Sequence, residues 1–115
     1  MFDFCFLARA MMREAIGGEK TSVMFQASPH GTLTPVTLTY ERDDEGWEFF
    51  TIDDGFGGEE VYNNRAIAET ALADAIREWL DIYIADGVFD NESADALKRE
   101  TLVKYAGVVW TPPTA

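Results

Sequence analysis

Positive charge is scarce in this sequence, and cysteine and histidine occur once each. Nine Lys and Arg face 21 Asp and Glu among 115 residues, for a formal net charge of −12. Gripping a phosphate backbone takes clustered cations that displace counterions, so the composition argues against a direct nucleic-acid ligand. With Cys5 alone there is no internal disulfide framework and no cysteine-only metal cage, which suits a reducing compartment and makes the cytoplasm the expected location. No run approaches the roughly 18 uninterrupted apolar residues of a membrane span. The apolar opening is broken by Asp3 and Arg9, and Asp3 stands where a signal peptide carries cations. Internal repeats and low-complexity stretches are also missing.

What is present is enough to fold. Hydrophobic residues make up 47% and aromatics 13%, sufficient to offset the entropy of ordering a chain of this length, and residues 1–115 are expected to form one domain. From Phe2 to Ile16 apolar side chains recur at helical spacing, and Gly17-Gly18 ends the pattern. Cys5, inside this apolar stretch, reads as a small core residue. Alternation then predicts strands over Thr21–Gln26 and Leu33–Tyr40, separated by a turn at Ser28-Pro29-His30-Gly31, with a third strand over Trp47–Ile52 after a hairpin at Arg42–Gly46. Glu59–Tyr62 adds a short extended piece after the glycine-rich turn Asp53–Gly58. Asn63 or Asn64 caps a long helix whose stripe includes Ile67, Ala71, Leu72, Ala75, Ile76, Trp79, Leu80, Tyr83 and Ile84. A last helix runs from Asp90 to Gly107, leaving Val108-Val109-Trp110 extended before a tail at Thr111-Pro112-Pro113. The order predicts an α+β fold: an N-terminal helix, a three- to four-stranded antiparallel sheet, and two C-terminal helices packed on the sheet.

The densest chemical feature lies between positions 41 and 60. Nine of these twenty residues are acids, namely Glu41, Asp43, Asp44, Glu45, Glu48, Asp53, Asp54, Glu59 and Glu60, opposed only by Arg42. Same-face residues of a strand lie about 6.6 Å apart, comparable with phosphates along an extended nucleic-acid strand. Acids on a hairpin and its flanking turns therefore imitate part of such a backbone and attract a groove lined with Arg and Lys. The plainer alternative is a solvated, charge-tolerant set of turns, but packing like charges this closely costs stability, which points to a benefit elsewhere.

Other chemistries fit less well. Asp53–Glu60 and Asp86–Glu92 lack the cadence of a calcium loop. Gly55-Phe56-Gly57-Gly58 lacks the Lys-Ser/Thr of a phosphate loop and is flanked by acids. His30, in a Pro-Gly turn, and Cys5, in another element, have nothing to support a nucleophilic pair. Paired carboxylates for acid/base work need one pKa raised by an apolar pocket, and these acids cluster where solvent is expected. No catalytic residue, metal ligand or cofactor site is therefore assigned. The strand Trp47–Ile52 is apolar on both faces, so one side needs a helix and the other needs either a second helical layer or another chain, a homodimer included.

In size, charge and lack of a catalytic signature, the chain is similar to small phage-encoded anti-defence proteins, including anti-CRISPR inhibitors, though it shares no motif with any of them. The expected function is a non-enzymatic inhibitor whose acidic surface occupies a basic, nucleic-acid-binding groove of a partner such as a nuclease complex. The alternatives are an immunity protein or antitoxin against a cationic nuclease toxin, and a structural or assembly protein of a phage or mobile element.

Overall fold

The computed structural model describes residues 2–18, 21–26 and 33–107. The expected turn around His30 and the expected extended segment at Val108–Trp110 with its tail lie outside them. Helix α1 spans Phe4–Gly17 and opens later than the apolar pattern does, because Asp3 acts as its cap: the carboxylate accepts from the Cys5 and Phe6 amides at 2.9 and 3.2 Å. Its buried stripe holds Leu7, Ala8, Met11 and Ala15. Cys5 falls to the flank of that stripe and is exposed, which corrects its reading as a core residue.

Four strands follow, β1 at Ser22–Phe25, β2 at Val36–Arg42, β3 at Glu48–Asp53 and β4 at Glu59–Tyr62, joined as an antiparallel meander in chain order. Pairing of Leu38 with Ile52 and Tyr40 with Phe50 fixes the register that puts all four, with Val36, on one buried face. Helix α2, Arg65–Ala85, is capped by Asn64, whose side chain accepts from the Ile67 amide at 3.0 Å. Together α1 and α2 cover this face, supplying Met11, Leu72, Ile76, Trp79 and Leu80 to one core. Helix α3, Asn91–Ala106, starts at the Asp90 cap, rests on α1, and ends at Gly107 in the left-handed region.

The opposite face of the sheet carries Met24, Thr37, Thr39, Glu41, Phe49, Thr51, Asp53 and Val61, and no described helix lies on it. Trp47 belongs to the hairpin and not to β3, and is 58% exposed. Of the two possible covers for the second face of β3, the intramolecular one is thus excluded among the described residues.

Trp79 fixes the end of the sheet nearest the β3–β4 turn. Its indole N–H donates to the Thr34 carbonyl at 2.9 Å, and its ring meets Phe25 and Tyr83 edge-on at 5.6 and 4.8 Å. Gly55 lies against the same spot with φ +82°, where a Cβ would approach the Thr34 carbonyl oxygen to 2.7 Å and the Trp79 ring to 3.2 Å. Only glycine fits, and the acidic turn is thereby held against α2.

The two edges of the sheet differ. Tyr105 of α3 reaches β1 and closes it, its hydroxyl accepting from the Met24 N–H at 3.0 Å and donating to the Met24 carbonyl at 2.9 Å. On the far side β4 pairs with β3, and no described strand pairs with its outer edge.

Candidate functional site

The nine acids of the 41–60 segment are distributed over both ends of β3, about 17 Å apart at 3.3 Å per residue. At the hairpin end Glu41 projects from the open face of β2, and Asp44 and Glu45 stand exposed in the turn. Asp43 shapes that turn, its Oδ1 accepting from the Glu45 and Trp47 amides at 3.0 and 2.9 Å. Glu48 turns toward the helices. It accepts from Arg65 Nε and Nη2 at 2.9 and 2.6 Å and from the Tyr40 hydroxyl at 2.6 Å. The Arg65 guanidinium, with help from Tyr40, lowers its pKa to about 2, and the same contacts raise the pKa values of Arg65 and Tyr40. Glu48 is a structural fastener with little left to offer a partner.

At the other end, Asp53 and Asp54 bend the chain: Asp53 accepts from the Gly55 amide at 2.9 Å, and Asp54 Oδ1 from the Phe56 and Gly58 amides at 2.7 and 3.0 Å. Glu59 and Glu60 follow on β4, Glu59 pairing opposite Asp53 and Glu60 accepting from the Tyr62 hydroxyl at 2.7 Å, which raises the tyrosine pKa. Between β4 and α2 runs a groove of about 440 Å³ lined by Asp54, Glu59, Glu60, Asp74 and Glu78, with Ile52, Ala71 and Ala75 as its apolar part. Asp74 and Glu78 come from α2, one helical turn apart. Their spacing in the sequence marks them only as neighbours on one helix face; placing them with Glu59 and Glu60 requires knowing that α2 lies along β4. Among the described residues, Arg77, bonded to Asp74 at 2.6 Å, is the one cation paired with this group.

Cations gather elsewhere. A second groove of about 320 Å³ between α1 and α2 is lined by Arg9, Arg13 and Arg65 with Met12, Ile16 and Glu69. Arg9 is held by Glu69 at 2.9 Å, a contact that raises its pKa, and Arg65 by Glu48. Among the described residues no group of three or more His, Cys, Asp or Glu is arranged to hold a metal ion, and no helix is long and apolar enough to cross a membrane. Comparison of the chain with protein-family models, curated proteins and solved structures gave no match.

Proposed function

We propose that the protein is a non-enzymatic inhibitor, acting in the cytoplasm, whose β3–β4 end occupies a basic, nucleic-acid-binding surface of a partner protein. One observation carries the reading: Asp54 of the β3–β4 turn, Glu60 of β4, and Asp74 and Glu78 of α2 line one groove, and Glu59 and Asp53 stand paired at the same end on the open face of the sheet. Carboxylates this close act as one source of potential, because the spacing along a strand or one helical turn is shorter than the screening length of about 8 Å in physiological salt. A surface that attracts Arg and Lys at phosphate-like spacing competes with the nucleic acid that the partner normally holds. Of the nine acids in the 41–60 segment, Asp53, Asp54, Glu59 and Glu60 belong to this end, whereas Glu41, Asp43, Asp44 and Glu45 form a second, separate acidic surface at the hairpin.

The test is affinity capture from cells rich in nucleic-acid-processing complexes, followed by binding kinetics with the captured protein. Duplex or single-stranded oligonucleotide should displace the chain. Reversal of Glu59 and Glu78 to Lys should slow association about tenfold and flatten its salt dependence. Capture indifferent to both nucleic acid and charge reversal would overturn the reading.

The open face of the sheet supports a second reading, assembly with a copy of itself. Val61 is 60% exposed there and Trp47, in the adjoining hairpin, 58%, with Phe49 on the same open face. A dimer by light scattering that dissociates in Trp47→Ser would favour it, and a monomer at all concentrations would remove it.

A further inference from the structure

The sheet stops one strand short of its helical layer. Beyond β4, α2 continues to present Ile67, 57% exposed, with Thr70, Ala71 and Asp74 along a shallow groove beside Tyr62, and this groove adjoins the acidic one through Tyr62, Ala71 and Asp74. The bond from the Asp54 amide to the Gly58 carbonyl at 3.0 Å sets the phase of the β3–β4 ladder. Bonded pairs recur at every second residue, so Ile52 pairs with Glu60 and Phe50 with Tyr62 by hydrogen bonds, and the N–H and C=O groups of Glu59 and Val61 point away from β3. These are the donors and acceptors that an added strand needs, and the opposite edge of the sheet has its equivalents at Met24 taken by Tyr105.

From this we infer that β4 is a strand-addition site for an extended peptide segment carrying Lys or Arg at alternate positions. The inference deepens the acidic-end reading and rests on it for the sign of the partner's charge. Alternate side chains of the incoming strand would pass over Ala71 and Ala75, whose small size leaves room for an aliphatic stem, and end at Glu60, Asp74 and Glu78. The remaining side chains would stand beside Glu59 and Val61 on the open face. A second copy of this chain is a poor occupant, because pairing β4 with β4 sets Glu59 and Glu60 against the same residues of the other copy.

A capped eight-residue peptide alternating lysine and valine is the probe, with amide hydrogen exchange and titration as readouts. Binding should protect the Glu59 and Val61 amides and leave the Glu60 amide, already bonded within the sheet, as protected as before. Val61→Pro removes an edge donor and keeps the β3 ladder, so it should weaken binding at least tenfold. The same peptide N-methylated at alternate residues, on the amides that would face β4, should lose binding to the unaltered protein, which keeps the test independent of whether the proline variant folds. Binding without protection of Glu59 and Val61, or equal binding of the N-methylated peptide, would overturn the strand-addition site. If a captured partner is lost on reversal of Glu59 and Glu78 but retained by Val61→Pro, the inhibitor reading stands and the edge site falls; if it is retained by both variants, both fall.

Discussion

Protonating Glu48 removes the acceptor on which both Arg65 and Tyr40 depend. Its pKa is about 2 in the folded chain against an ordinary 4.5, so the group contributes stability that is fully present above pH 4.5 and is lost as the pH falls through about 2. Arg65 is largely exposed, and solvent screening limits the contribution to about 1 kcal/mol. Glu48→Gln should therefore destabilise by about that amount at pH 7, and the gap from the unaltered protein should close as the pH is lowered from 4.5 toward 2. Urea unfolding of the two proteins in parallel checks this, because the general relief of repulsion among the other acids on acidification affects both alike. In the sequence Glu48 is indistinguishable from its eight acidic neighbours. What separates it is the parity of β3, which turns it toward the helices, and an arginine 17 positions away that meets it only once α2 is in place.

At the scale of elements, the helices and strands were largely legible. Asp3, Asn64 and Asp90 are capping residues of the expected type, the strand expected over Leu33–Tyr40 is present as β2 with Val36, Leu38 and Tyr40 buried on one face, and Gly107 ends α3 as expected. An aromatic beside Glu48-Phe49-Phe50 continues the alternation, so the sequence pattern extends the strand to Trp47. The carboxylate of Asp43, closing the turn onto the Trp47 amide, ends the pairing one residue earlier. The unequal edges of the sheet had no signal in the sequence, since the closing contact joins Tyr105 to Met24 across 81 positions. Tyr105→Phe should expose both backbone groups of Met24, accelerate exchange of that amide, and cost about 1 kcal/mol. Exchange that stayed slow would show that the edge is closed by something other than this hydroxyl.

For the whole molecule, a net charge of −12 means that folding works against its own field. Raising salt from about 10 mM to about 1 M shortens the screening length from roughly 30 to roughly 3 Å, so the melting temperature should rise with sodium chloride while association with a basic partner slows. Calorimetry and binding kinetics over the same salt series measure the two opposed trends, and a melting temperature that fell with salt would contradict the first. Composition made the total charge legible but not its arrangement. Nearness in sequence joined Asp44 to Asp54, and β3 then carried them to opposite ends, while Asp74 and Glu78 joined the second group through the packing of α2.

Charge along α2 itself is graded, with Arg65 at its first residue and Asp74 and Glu78 further on, while the acids of the β2–β3 hairpin stand at the Arg65 end of the molecule. The peptide dipoles of α2 point the same way, with their positive end at Arg65 and no basic residue in the last turn to offset the negative one. A cationic body drifting nearby therefore meets two attracting poles, one at each end of β3, before any contact. An anion-exchange resin should accordingly grip the protein at either end, and neutralising one acidic set should lower the salt needed for elution without abolishing retention.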